Sequence, residues 1–199
     1  SATEIIGYKK YLERLKPDRN INFYPSDNRN EIERAVLAFE LATKGKNVLI
    51  VSSGDPGIFA MSAVVFETLE NGPLQWFEVD IKVLPGITSM LAASARIGAP
   101  LGNDFCVINL SNNLKPWSLI KQRIISAIKG DFVTVLYNPR SLARPNTFLK
   151  TLKIFREHCK EDRFIIFARS VSTKNEKIEV VSLKEASETM ADMQTLVII

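Results

Sequence analysis

The chain has 199 residues, 46% of them hydrophobic and 24% charged, and carries a formal net charge of +4; this suits a globular chain with core enough for one large or two small domains. Lysine and arginine are scattered, so the mild basicity favours an anionic small molecule and argues against nucleic acid. Two cysteines, Cys106 and Cys159, and one histidine, His158, exclude a disulfide framework and a clustered metal site, which leaves a reducing cytoplasm as the default.

Residues 1–8 (SATEIIGY) read as a strand already under way, and 8–16 as a short helix closed by Pro17. Residues 21–24 are extended up to Pro25. The segment 28–44 (NRNEIERAVLAFELATK) predicts an amphipathic helix with Ile32, Ala35, Val36, Phe39 and Ala42 on one stripe, ended by Gly45.

The stretch 48–70 (VLIVSSGDPGIFAMSAVVFETLE) is the organising one. Its apolar run 48–51 suits a buried parallel strand, and Ile58, Phe59, Met61, Val64, Val65, Phe66 and Leu69 recur at helical spacing. Between them lies Ser52-Ser53-Gly54-Asp55-Pro56-Gly57, a loop at the carboxyl end of a strand, where open α/β sheets bind ligands. It is neither a P-loop nor a dinucleotide fingerprint. Asp55 would repel a phosphate and suits a cationic or hydroxyl-bearing ligand, or it simply caps the turn.

A second strand is expected over 77–84, ending in Pro85-Gly86-Ile87-Thr88-Ser89 at the start of another helix. Thr88 and Ser89 stand there as caps or as ligand contacts. Residues 98–102 (GAPLG) mark the expected junction between domains 1–101 and 102–199. Beyond it the pattern predicts strands over 104–110, 132–137, 163–169, 177–183 and 195–199, and helices over 115–129, 146–160 and 184–191. The last strands are close in sequence, so antiparallel pairing is expected there. His158 lies in REHCKEDR, where a cation near a helix end accounts for it and a Ser-His-Asp triad does not. No signal peptide and no apolar run of about 18 residues is visible, so a membrane partner is not expected.

Three stretches, SSGDPGIFAMSAVVFE, LPGITSMLAASARIGAPLGNDFCVINLSNNLKPW and VLYNPRSLARP, resemble the tetrapyrrole methylase family. GDP and PGI are shared across that family. DFCVINLSNNLKPW and LYNPRSLARP are similar to the branch that methylates C-17 of a precorrin-3 ring with ring contraction, on the way to cobalamin. The resemblance runs from about Ile5 to about Glu179. It implies two α/β domains with a cleft between them, a mostly parallel N-terminal sheet and a mixed C-terminal one. A homodimer, S-adenosylmethionine as methyl donor and an anionic tetrapyrrole as acceptor are implied with it.

Carried over by position, Gly54, Asp55 and Ile58 would line the cofactor pocket, joined by Thr88 and Ser89 from the second loop and by Tyr137 and Asn138. Residues 169–172 would close over adenine. Lys115, Arg140 and Arg144 become candidates for the substrate carboxylates, which guanidinium groups bind in bidentate fashion. In-line methyl transfer needs alignment and desolvation more than a base or a metal. Methylation at another corrin carbon or of uroporphyrinogen, and tetrapyrrole binding without turnover, stay open at this point. The pattern also implies a strand and a glycine-proline loop ahead of Ile5 and a Gly-Asn turn after Ile199. Asn103 stands where the pattern has histidine.

Overall fold

The computed structural model describes residues 2–15, 20–27, 29–113 and 115–199. The chain divides into two units, Ser1–Thr88 and Ser89–Ile199.

In the first unit, the expected alternation of apolar runs and amphipathic stripes gives β1 (Glu4–Tyr8), α1 (Lys9–Leu12), β2 (Asn22–Ser26), α2 (Glu31–Ala42), β3 (Val48–Val51) and α3 (Met61–Glu70). The strands form a parallel sheet in the order β2-β1-β3, so their carboxyl ends share one edge. Ile5 and Ile6 of β1 and Ala35, Ala38 and Phe39 of α2 are buried. The Phe39 ring stacks on Trp76 with centroids 4.7 Å apart and planes at 10°, an offset arrangement that aromatic pairs favour. At the opposite end of the sheet, the buried Glu4 carboxylate accepts from Tyr24 Oη at 2.9 Å and from Asn22 Nδ2 at 3.1 Å. The Tyr24 hydroxyl is the main cause holding the Glu4 carboxyl below its ordinary value.

Three expectations for this unit need correction. The strand expected over 77–84 is absent: Leu74–Glu78 is a 3₁₀ turn behind Pro73, wound so that Trp76 reaches Phe39. The chain beyond it has no strand beside it among the described residues, and Val83, Leu84 and Ile87 are exposed. A β-strand is defined by such a neighbour, and apolar alternation cannot supply one. The helix expected from Ile58 begins instead at Met61, because Phe59 takes a left-handed φ of 52° that no helix accommodates. The first helix is also shorter than expected, ending at Leu12. Its expected stop at Pro17, and the expected helix start at Asn28, lie outside the described residues.

The second unit holds α4 (Ser89–Ile97), β4 (Phe105–Asn109), α5 (Trp117–Lys129), β5 (Val133–Tyr137), α6 (Thr147–His158), β6 (Phe164–Arg169), β7 (Lys177–Ser182) and β8 (Thr195–Ile198). Its five-stranded sheet runs β4-β5-β8-β6-β7. β4 and β5 are parallel, and the other pairings are antiparallel as expected. Period-two alternation sends Leu136 to one face, with Ile120, Ile124, Phe148, Leu152 and Phe155 of α5 and α6. Val135 goes to the other face, with Ala93 of α4 and with Ile166, Ala168 and Ile198. Because Ala93 is part of this second cluster, α4 belongs to the second unit, whereas the junction drawn from sequence followed that helix.

The helix expected over 184–191 is reduced to a 3₁₀ turn at Glu188–Met190. The Arg156 guanidinium takes up the carbonyls of Leu183 at 3.2 Å and Ala186 at 2.5 Å, acceptors that a helix would have needed. Trp117, at the start of α5, packs against the first cluster and lies 5.8 Å from Lys150 Nζ. His158 closes α6 with Nδ1 2.9 Å from the Ile154 carbonyl.

Candidate functional site

Parallel strands deliver their following loops to one edge. In the first unit, the loop 52–57 after β3 meets the loop 85–88, and a single side chain ties them. Asp55 Oδ1 accepts from the Gly57 N–H at 2.7 Å, an Asx turn, and Oδ2 accepts from the Gly86 N–H at 3.0 Å across 31 residues of sequence. A side chain at Gly86 would collide with the Gly54 carbonyl oxygen, and Gly54 itself sits at φ 68°. Gly86 is therefore required by the approach of the two loops, and Gly54 by its left-handed backbone. Ile58 follows as the Asp55 carbonyl accepts its N–H at 3.2 Å. Thr88 is buried beside Gly54, while Ile87 next to it is 73% exposed.

The expected residues Gly54, Asp55, Ile58 and Thr88 thus come together in the first unit. Neither loop carries lysine or arginine. Carboxylate, hydroxyl and backbone groups without a cationic side chain fit the hydroxyls, ammonium and sulfonium of S-adenosylmethionine, and they do not fit a nucleotide phosphate.

In the second unit, Ser89 opens α4, and the Tyr137 hydroxyl accepts from the Met90 N–H at 3.2 Å. Tyr137 ends β5, and Asn138 follows it at a left-handed φ of 52°. Ser170 and Ser172, in the segment expected to cover adenine, are also left-handed. The Ser172 N–H donates to Glu176 Oε2 at 2.6 Å, and Glu176 pairs with Arg96 at 3.3 Å. The amide of Ser172 and then the charge of Arg96 hold the Glu176 carboxyl below its ordinary value.

The three expected cations differ in setting. Arg140 Nε donates to the Pro145 carbonyl at 3.2 Å. Lys115 is half-buried, and burial followed by the nearby Arg123 charge lowers its ammonium. Arg144 spends its donors on the carbonyls of Leu110 at 3.3 Å and Asn138 at 3.2 Å. Burial lowers its guanidinium too. Sequence reasoning missed Asn109, whose Oδ1 accepts from the Ser111 N–H at 2.9 Å and from Asn138 Nδ2 at 3.1 Å. The Asn-x-Ser spacing at the end of a strand was the available signal. Among the described residues no cluster of three His, Cys, Asp or Glu could hold a metal, and no helix is long and apolar enough to cross a membrane.

Comparison with known proteins adds a second line. A family model described as Tetrapyrrole (Corrin/Porphyrin) Methylases matches residues 1–187. The chain is 45% identical over 199 residues to a protein of Sinorhizobium sp. named precorrin-3B C(17)-methyltransferase, covering all of this chain and 78% of that one. It is 39% identical over 203 residues to the cobalamin biosynthesis protein CobIJ of Mycobacterium bovis, of which it spans 39%. Among solved structures, that of the methyltransferase CobJ is similar with a TM-score of 0.96 at 50% identity, over 99% of this chain and 82% of that one.

Proposed function

This chain belongs to the tetrapyrrole (corrin/porphyrin) methylases, and from that membership we infer that it is a C-methyltransferase of cobalamin biosynthesis acting at C-17. Its acceptor is precorrin-3B or the cobalt-bearing counterpart, and methylation is accompanied by ring contraction. The methyl donor in this reading is S-adenosylmethionine.

The observation that carries the donor assignment is the strand-end loop 52–57, stitched by Asp55 to the loop 85–88, with both loops free of cationic side chains. When bound there, S-adenosylmethionine supplies a methyl group already activated on a sulfonium. Asp55 holds the loops through two backbone N–H groups and, as an ionised carboxylate with about four acceptor positions, keeps capacity for a hydroxyl or ammonium of the donor. Gly54 and Gly86 keep the loop backbone open to close approach. Ile58 contributes an apolar wall, and Thr88 and Ser89 contribute hydroxyls. For Tyr137 and Asn138 of the second unit, a donor-binding role is carried over from the resemblance alone. Transfer to carbon then depends on alignment and exclusion of water, for which this chain uses backbone and apolar groups.

Lys115 and Arg140 are assigned to the acetate and propionate carboxylates of the tetrapyrrole, where charge-assisted hydrogen bonds give both affinity and register. The reading includes a homodimer in the cytoplasm, supported by the resemblance and by two free thiols, Cys106 and Cys159.

Calorimetric titration of S-adenosylhomocysteine into the chain tests the donor site, with micromolar saturable binding expected. Mass spectrometry of a precorrin-3B incubation tests the reaction, and a product heavier by one methyl group is expected. No binding of S-adenosylhomocysteine would remove the donor assignment. Binding without methyl transfer would leave a tetrapyrrole-binding protein without turnover.

A further inference from the structure

The carboxyl ends of β4 and β5 carry a polar lattice in which two side chains, those of Asn109 and Arg144, have no part in the reaction as derived above. Asn109 is the last residue of β4 and Tyr137 the last of β5, and the two are register partners in the parallel pair. The Leu110 N–H donates to the Tyr137 carbonyl at 2.9 Å, extending that ladder by one step. Beyond it the chain turns sharply, with Asn138 at φ 52°, a left-handed conformation that asparagine tolerates better than most L-residues and that contacts around it can enforce.

Two side chains supply that enforcement. Asn109 Oδ1 accepts both from the Ser111 N–H, at 2.9 Å, and from Asn138 Nδ2, at 3.1 Å. The Ser111 N–H can only donate, so it fixes which end of the Asn109 amide faces it, and this in turn fixes the amide of Asn138. From the other side, Arg144 Nη1 donates to the Asn138 carbonyl and to the Leu110 carbonyl, and its Nη2 lies 3.6 Å from Met193 Sδ. The two turns, after β4 and after β5, are thereby bolted together by one amide and one guanidinium. The Arg144 fork is engaged with main chain and sulfur, which is not the use expected of a residue that presents its planar donors to a carboxylate.

We propose that Asn109 and Arg144 are positioning residues that lock the Tyr137–Asn138 corner in the shape that receives the methyl donor, and that Arg144 does not contact the tetrapyrrole. The ligand half of this proposal rests on the assignment of Tyr137 and Asn138 to the cofactor. The lock itself rests only on the hydrogen bonds just described.

The test uses the full chain and four variants: Asn109→Ala, Asn109→Asp, Arg144→Ala and Arg144→Lys. Titration of S-adenosylhomocysteine reads the corner, and titration of uroporphyrin, an octacarboxylate tetrapyrrole, reads any carboxylate contact. Asn109→Ala and Arg144→Ala should each weaken S-adenosylhomocysteine at least tenfold and leave uroporphyrin within twofold. Asn109→Asp keeps an acceptor for both N–H groups and should stay within threefold of wild type. Arg144→Lys keeps the charge without the fork and should behave like Arg144→Ala.

Loss of uroporphyrin affinity with S-adenosylhomocysteine binding intact in Arg144→Ala would overturn the proposal, since it would make Arg144 a carboxylate contact. Parallel loss of both ligands, with Asn109→Asp as weak as Asn109→Ala, would overturn it as well, because it would report a general folding defect. Failure of the wild-type chain to bind S-adenosylhomocysteine would sink the cofactor assignment and the ligand half with it. The lock is judged apart from any ligand by amide hydrogen exchange at Leu110 and Ser111. Faster exchange in Asn109→Ala and Arg144→Ala supports it, and unchanged protection overturns it.

Discussion

The two sheets place their resources differently. Of the largest fully buried side chains among the described residues, Ile6 alone comes from the first unit, and the others, Phe148, Phe155 and Phe167 at their head, come from the second. The five-stranded sheet is covered on both faces by apolar clusters. In the first unit the loop after β3 is tied to the segment 79–88, which leaves Leu84 and Ile87 more than 70% exposed, by the hydrogen bonds of one carboxylate. The second unit is stabilised chiefly by packed volume, whereas the loop edge of the first is held by a few directed contacts. Packing resists change everywhere at once, whereas a directed contact can be removed singly and leaves the rest of the fold standing.

That contrast can be broken by mutation, beginning with the largest effect. Phe148 is fully buried and meets Phe167 edge-on at 5.8 Å. Phe148→Ala should cost about 3–5 kcal/mol in denaturant unfolding; a cost below about 1 kcal/mol would show that the second unit is not held by its core. Asp55→Ala removes both loop contacts, and it should weaken S-adenosylhomocysteine by about 1–3 kcal/mol in calorimetry while lowering thermal stability far less than Phe148→Ala does. An unchanged dissociation constant would make Asp55 a cap alone. Gly86→Ala should force the two loops apart, with a cost of about 1–3 kcal/mol expected in stability together with weaker cofactor binding. Arg140→Ala should weaken uroporphyrin by about 1 kcal/mol and leave S-adenosylhomocysteine alone; equal losses for both ligands would indicate misfolding.

The smallest effect concerns pH. A carboxyl depressed in the fold stabilises it above the unfolded value and loses that effect as pH falls through the folded one. A phenol raised in the fold stabilises below its unfolded value and loses the effect as pH rises. Glu4 is depressed by Tyr24, and Tyr24 is raised by Glu4. The difference in melting temperature between the wild-type chain and Tyr24→Phe should therefore be greatest near neutrality. It should shrink below about pH 4 and again above about pH 10. A difference that stays constant across that range would mean that the pair does not stabilise the fold.

Legibility from sequence followed the same divide. Strands such as β5 and β6 were readable from apolar runs, as was the antiparallel pairing near the end of the chain; β3 is a parallel strand as expected but not a buried one, since it lies at the sheet edge with none of its residues buried. Residues 77–84 misled because a strand's apolar composition was present without a strand beside it. Residues 184–191 misled because Arg156, distant in sequence, claims carbonyls that a helix would use. The turn at Gly54 and Asp55 was readable because a loop between strand and helix is a local pattern, whereas Thr88 was expected behind a strand that does not form. The bond from Asp55 to Gly86 was not readable, being a contact across 31 residues. Arg144 was legible as a cation near a turn, but its carbonyl partners were visible only once β4 and β5 lay side by side.

The chain's two tryptophans fall one to each unit, and this has an optical consequence. Trp76 lies flat on Phe39 in the first, while Trp117 sits near the ammonium of Lys150 in the second. Their emission should respond to different events, so Trp76→Phe and Trp117→Phe each leave a chain with a single tryptophan, which can be excited apart from the four tyrosines at the red edge of absorption. Unfolding or titration of either unit can then be followed in the unlabelled protein, by the colour of the light from one indole at a time.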